Sequence, residues 1–390
     1  MAAVPEVKKR EQVAGVLEAV CRGLELTETQ YQLAKDRYET IGVWLAEAEN
    51  IFLRSCKIYP QGSMSLGTSV RPIGRSEYDV DLICHVPHLS LNSSPDYLKR
   101  LVGDRLTENG RYSIEEKGRC WRINYANEFH LDITPSIRNP NCTNGGECVP
   151  DKTLLEWKPS NPKGYQAWFE ERAELQPEFV AQKAMLFENA EMRAAVEPFP
   201  FNEPIKGYLK RCIQLCKHHR DKHFIADPTI APISVIITTL AAKSYQYIVA
   251  HKVYENDLDV LLDVIRYMPF FIEQQKSFGK KHYYIWNETT AGENFAEKWN
   301  ENEALANAFY EWQATALKQL ELLPFEDGMD SLQKALNLSF SESIVASACS
   351  KFTSSISKAR DVGVLSVMPG VGLTASSSGI KVPKNTFFGE

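Results

Sequence analysis

The run from Tyr78 to Val86, Tyr-Asp-Val-Asp-Leu-Ile-Cys-His-Val, sets the strictest condition on what this chain can fold into. Its apolar content reads as a strand entering a core, yet it carries two acids, Asp79 and Asp81. Residues i and i+2 of a strand share a face, so the two carboxylates project together while Val80, Leu82 and Cys84 run into the core. A second strand-like run, Phe129–Pro135, carries a third acid, Asp132, flanked by Leu131 and Ile133. Bare carboxylates are costly to bury unless something compensates them. The chain must therefore build a sheet with one apolar face and one face on which acids gather.

Three converging carboxylates suit hard divalent cations, which prefer oxygen ligands. Two such ions ~3.5–4 Å apart can clamp an in-line phosphoryl displacement. The stretch before the first two acids fits the same chemistry. Gly62 and Ser63 open it, Gly67 and Thr68 repeat the pairing, and Gln61 precedes them. A glycine lets backbone approach a phosphate closely, and successive amides with a serine hydroxyl make an anion nest. Taken singly these signals are weak: Asp-x-Asp is often merely polar, Gly-Ser is often a turn, and Asp132 alone would be satisfied by an arginine. Their conjunction, in this order, is specific.

Along the chain, residues from about 6 to 55 read as helical, with few breakers and apolar residues three and four apart. Strands are expected at 57–61, 78–86, 111–117, 119–125 and 129–135, with a helix at about 95–109 started by Ser94. Residues 138–151 read as a long polar loop. From Pro162 the pattern is helical, with Ile205, Tyr208, Leu209, Cys212 and Leu215 on one stripe and a buried helix near 231–250. Further helices are expected near 256–274, 291–321 and 327–336. The fold class is α+β: a long N-terminal helix and a mixed or antiparallel catalytic sheet (1–160), a helical lobe (161–370), and a mobile Gly/Ser-rich tail (371–390).

The segments "GSMSLGTSVRP", "YDVDLICHV" and "HLDITPSI" resemble the DNA-polymerase-β-like nucleotidyltransferase superfamily. Within it the chain is most similar to the bacterial cyclic-oligonucleotide synthases, the CD-NTases, relatives of animal cyclic GMP–AMP synthase and of 2′–5′ oligoadenylate synthases. "WKPSNPKGYQAWF", "PIKGYLKRCIQLCKHHRDKHF" with "APISVIITTLAA", and "GENFAEKW" support that branch. The resemblance spans roughly residues 50–300 and implies a bilobed enzyme. Asp79, Asp81 and Asp132 become the catalytic acids and the ligands of two Mg²⁺ ions, with Mn²⁺ able to substitute. Gln61, Gly62 and Ser63 line the nucleotide site, and Lys217 and Ser234 contact the triphosphate.

The resemblance further implies that a nucleotide hydroxyl attacks the α-phosphate of an NTP, that pyrophosphate leaves, and that a linear intermediate closes into a ring. ATP, with GTP as a further candidate, is the expected substrate. An adenine-rich cyclic trinucleotide such as cyclic AMP-AMP-GMP or tri-AMP is the expected product, as a second messenger in antiphage (CBASS) signalling. A regulatory protein or a protein conjugated through Gly389-Glu390 is a partner that some members use; the simpler reading of that end is a frayed terminus.

Lys210, Gln214 and Lys217 recur on one helix face and read either as solvated surface or as a phosphate clamp. Tyr245 or Tyr247 could stack on a base, but aromatic residues on such a helix are more often core. Cys142, Cys148, Cys212, Cys216, His218 and His219 invite a zinc reading, but Cys-x₅-Cys is not a usual knuckle and Cys212 and Cys216 fall on the apolar stripe. The nine cysteines show no disulfide framework. A net charge of −6 argues against a long nucleic-acid substrate, though not against nucleotides. No apolar run is long enough to span a bilayer and no signal-peptide pattern opens the chain, so a cytoplasmic protein, monomeric when alone, is expected. Three alternatives remain: a linear RNA-terminal or oligoadenylate-type transferase, a transferase acting on an antibiotic, and a non-catalytic nucleotide sensor.

Overall fold

A computed structural model describes residues 4–74, 78–125, 129–151, 155–180, 207–277 and 279–361, with the strand pieces 366–368, 372–374 and 380–381. Helix α1 (Val4–Leu24) is followed by α2 (Glu28–Ala46) and the single turn α3 (Ile51–Arg54). The helical run expected over 6–55 is thus divided. Its break is chemical: Thr27 accepts from the Gln30 amide and the Gln30 side chain returns to the Thr27 amide, a reciprocal cap that starts a new helix.

Seven strands form the sheet: β1 (Lys57–Pro60), β2 (Tyr78–His85), β3 (Ser113–Glu116), β4 (Trp121–Tyr125), β5 (Phe129–Arg138), β6 (Glu147–Asp151) and β7 (Glu156–Ser160). Their order is β1-β2-β5-β4-β3, with β6 joined to β5 and β7 to β6. Between β1 and β2 lies the turn-length helix α4 (Gly62–Ser65), and α5 (Pro95–Glu108) carries the chain from β2 towards β3. Helix α5 starts where expected, because Ser94 accepts from the Tyr97 amide and Pro95 needs no partner at N1. Strands β2 and β5 are parallel, and the other pairs are antiparallel. Strand β6 falls in the segment expected to be loop.

The sheet's apolar face supplies Val80, Leu82, Cys84, Leu131 and Ile133 to a core closed by Ile41 and Leu45 of α2 and Leu98, Val102 and Leu106 of α5. A second core belongs to the helices. It contains α6 (Pro162–Ala173), α7 (Tyr208–His223), α8 (Ser234–His251), the helices Asp257–Tyr267, Glu303–Leu322, Met329–Ser339 and Glu342–Asp361, and also Val13–Leu24 of α1. Where a helix was expected to continue to residue 274, the chain turns at Pro269 and forms the hairpin Glu273–Ser277/Lys280–Tyr284. At the C-terminal side Ser366–Met368 pairs with Gly372–Thr374 and Ile380–Lys381. The Gly389–Glu390 end lies outside the described residues. Among the described residues, no helix is long and apolar enough to cross a membrane.

Candidate active site

The parallel β2–β5 register sets Asp81 directly beside Asp132, with Asp79 two residues earlier on the same face of β2. The three acids foreseen from the sequence therefore meet on the face turned away from the sheet's apolar core. Burial pushes the Asp81 carboxyl up to about 7, and the neighbouring charges of Asp132 and then Asp79 add to the rise; Lys217 and Arg122 pull it the other way. Asp132 is the most enclosed of the three, with 9% exposure.

Gly62 opens α4 at φ +63°, in the left-handed region. A Cβ there would lie 2.5 Å from Asp81 Oδ2, so backbone conformation and space both require glycine. The Gln61 amide donates to the Asp81 carbonyl at 2.8 Å, which fixes the loop to β2. The Gln61 side chain points along the same face to Thr134. Ser63 and Ser69 share a hydroxyl contact at 3.0 Å, and the Thr68 amide donates to the Ser63 carbonyl at 2.9 Å. The loop from Gly62 to Ser69 thus folds back on itself and places its hydroxyls beside the acids.

The helical lobe grips this loop. Leu66 inserts into the helical core. Lys217 Nζ donates to the Thr68 carbonyl at 3.0 Å, and Gln214 Nε2 donates to the Ser69 carbonyl at 3.0 Å. Gln166 of α6 reaches the Ser65 carbonyl at 3.2 Å, and Lys210 pairs with Glu170 at 2.9 Å. The lysine face of α7 is therefore not solvated: Lys217 is only 5% exposed and Gln214 is fully buried. Burial draws the Lys217 ammonium down to about 8, with Arg220 adding to the fall and Asp81 opposing it.

One cavity of about 500 Å³ joins these parts. It is lined by Gln61, Gly62, Ser63, Asp79 and Asp81 from the sheet side and by Lys217 and Ser234 from the helices, so seven of the eight expected site residues meet there. The eighth, Asp132, is not part of the cavity lining and stands beside Asp81 in the β2–β5 pairing. Sequence reasoning missed Arg220, whose guanidinium spans Asp221, the Pro232 carbonyl and Ser234 Oγ and so anchors the start of α8 in the cavity wall. It also missed the far wall. There Tyr165 meets Phe295 edge to face, and Glu293 accepts from Asn287 at 2.7 Å. These residues come from two distant segments, around 165 and at 287–295, and no spacing rule links them.

Arg122 of β4 was missed as well. It binds both oxygens of Asp132 at 2.7 Å and reaches Asp79 at 3.1 Å. Among the described residues no three carboxylate, imidazole or thiolate groups close around one point as a metal cage, and two of the three acids are held by this guanidinium.

The model of the Second Messenger Oligonucleotide or Dinucleotide Synthetase (SMODS) domain matches residues 12–173. A c-di-GMP synthase of Roseivirga ehrenbergii is 28% identical over 392 aligned positions, covering 98% of both chains. The cyclic dinucleotide synthase CdnG of Bradyrhizobium diazoefficiens is 24% identical, over 86% of this chain and 82% of its own. The chain is thus similar to CD-NTases, through a SMODS match over its N-terminal part and through relatives that align along most of its length. The fold agrees. The structure of B. diazoefficiens CdnG in complex with GTP superposes with a TM-score of 0.65 at 20% identity, over 87% of this chain and 99% of that one. The 3′-deoxy-GTP-bound form of Escherichia coli DncV gives 0.54 at 16% identity, over 89% and 90%.

The names of these relatives accord with the nucleotidyltransferase chemistry expected from the three acids. The chain's other candidate residues have structural work. Tyr245 is buried and donates to the Leu175 carbonyl at 2.7 Å. Cys212 and Cys216 lie in the helical core. His219 uses both ring nitrogens, on Gln319 and Trp312, and His218 contacts Ser341.

Proposed function

We propose that this chain is a CD-NTase that joins two nucleoside triphosphates, at least one of them GTP, into a cyclic dinucleotide and releases two pyrophosphates. The carrying observation is one cavity in which a hydroxyl-lined anion loop, the carboxylates of Asp79 and Asp81 and a polar aromatic wall face one another, with Asp132 directly beside Asp81. The Gly62–Ser69 loop with Lys217, Arg220 and Ser234 suits the triphosphate. Lys217 acts mainly by holding the loop in shape, since its ammonium sits on the Thr68 carbonyl. Tyr165 and Phe295 offer the base an aromatic wall, and the Glu293 carboxylate beside it suits the N1–H and N2–H donors of guanine. The two relatives named as a c-di-GMP synthase and a cyclic dinucleotide synthase support a guanine-containing dinucleotide over the adenine-rich trinucleotide expected from the sequence.

In each half-reaction the acceptor hydroxyl oxygen bonds to the α-phosphorus, and the bond from that phosphorus to the bridging oxygen of pyrophosphate breaks. The hydroxyl proton passes to the triad, where Asp132 is the best-enclosed carboxylate. Asp79, Asp81 and Asp132 are also the groups that would hold two Mg²⁺ ions. The donor set fits hard cations: Asp79 and Asp81 share one face of β2, and Asp132 stands beside Asp81 on β5, so carboxylate oxygens from two strands gather at one place. Bound there, the ions would polarise the phosphate and stabilise the leaving pyrophosphate. The product would serve as a second messenger, with antiphage signalling its natural setting.

The test is to incubate the protein with each radiolabelled NTP and all four together in Mg²⁺, digest with phosphatase, and resolve the products by mass. A phosphatase-resistant cyclic dinucleotide containing guanine is expected. A phosphatase-sensitive ladder would instead assign a linear transferase, and a resistant trinucleotide would restore the earlier expectation.

A further inference from the structure

Arg122 stands opposite Asp132 in the β4–β5 pairing, and Asp132 stands opposite Asp81 in the β5–β2 pairing. One face of three neighbouring strands therefore carries a cation, an acid and an acid in a single row. The guanidinium binds Asp132 as a fork, Nε to Oδ1 and Nη2 to Oδ2, both at 2.7 Å. The same Nη2 reaches Asp79 Oδ1 at 3.1 Å. Lys217, the other cation acting on the triad, spends a hydrogen bond on the Thr68 carbonyl.

Resting on the reading of the triad as a cation site, we propose that Arg122 is the built-in counter-ion of the metal-free triad and a positioning residue for Asp132. Entering cations displace it from Asp79, while it keeps hold of Asp132. The two contacts are unequal in the way this division requires. The Asp132 contact is short, bidentate and made to a side chain only 12% exposed; the Asp79 contact is single, longer and made to one 56% exposed. Bidentate guanidinium–carboxylate pairs add geometric specificity to charge, whereas single exposed contacts are weak. The strand register also keeps Arg122 and Asp132 opposite each other whatever fills the cleft. Arg122 thereby spares the empty site the mutual repulsion of three acids and fixes the most enclosed of the three carboxylates.

The test uses the full chain, Arg122→Gln and Arg122→Lys. Mg²⁺ and Mn²⁺ are titrated without nucleotide while thermal stability is followed, and kcat and KM for GTP are measured separately. Arg122→Gln is expected to melt lower than the parent without cation and to reach its cation midpoint at a concentration about tenfold lower or less, since no guanidinium must be displaced. Arg122→Lys keeps the charge but cannot bridge two oxygens. Its cation midpoint should stay within about threefold of the parent while kcat falls about tenfold or more and KM hardly moves. Equal cation midpoints in the parent and Arg122→Gln overturn the counter-ion role, and a parental kcat in Arg122→Lys overturns the positioning role. An Arg122→Gln chain that folds only with cation present is the expected result at its extreme. Should it fold under neither condition, the kcat and midpoint of Arg122→Lys decide. A parent that shows no cation response at all refutes the cation site itself, and leaves Arg122 as a structural ion pair.

Discussion

Replacing Asp81 by Asn should stabilise the metal-free protein while abolishing its turnover. The Asp81 carboxyl is raised from 3.8 to about 7, chiefly by burial and then by Asp132 and Asp79. The folded state therefore binds this proton more tightly than the unfolded chain does. Below pH 4 the acid is neutral in both states and costs nothing. The cost of its charge grows between pH 4 and 7 and is complete above 7. A rise from 3.8 to about 7 corresponds to about 4 kcal/mol, and the carboxyl's remaining access to solvent lowers that to about 2–4 kcal/mol. With an unfolding entropy of about 2.1 cal/mol/K per residue, the Asn variant should melt about 2–5 °C higher at pH 8. The gap should shrink towards pH 4.5. Melting both proteins in EDTA across that range, by fluorescence or circular dichroism, reads it directly. A variant less stable than the parent at pH 8, or a gap that does not change with pH, refutes the reasoning that the triad is held together against its own charge.

Three further outcomes follow from the same site. Gly62→Ala forces a side chain into left-handed backbone and against Asp81 Oδ2 at 2.5 Å, so it should lower stability by about 1–3 kcal/mol and remove nearly all turnover, checked by melting and pyrophosphate release. Lys217→Met keeps the buried stem and removes the bond to the Thr68 carbonyl; apparent KM for the triphosphate should rise about tenfold with melting little changed, and an unchanged KM would detach this lysine from the site. Glu293→Gln should cut the preference for GTP over ATP by about tenfold or more in a competition assay, because an amide presents a donor to the guanine N1–H where a carboxylate accepts.

The catalytic face was legible because strands write their geometry into the sequence with period two. Asp79, Asp81 and Asp132 each stand among apolar residues, and alternation alone puts the first two on one face. That Asp81 and Asp132 are direct neighbours was not legible, since it depends on β2 and β5 pairing in parallel across the intervening α5, β3 and β4. Strand β6 was hidden for a related reason. Its segment is announced by Asn139, Asn141, Asn144, Gly145 and Gly146 and contains Pro150, all turn signals, and only pairing with β5 and β7 makes it a strand.

Arg122 shows where a local pattern stopped short of a site. The alternation Trp121, Ile123, Tyr125 against Arg122, Asn124 says that Arg122 lies on a polar face, but not that this face is the one bearing the acids. Lys217 shows the converse. Its place on the polar face of α7 suggested either solvent or substrate, yet the ammonium is buried against the backbone of the loop that Gly62 begins. Both cations act first on the protein, one on a carboxylate and one on a carbonyl. Both partners lie across a junction that no single stretch of sequence contains. The acids and glycines of a phosphate-handling site are confined to residue types by chemistry and by space, so they can be read one at a time. The cations that hold those groups in position are confined only by distance, and distance is what the two lobes create when Leu66 enters the helical core and Gln214 and Lys217 close on the carbonyls beside it.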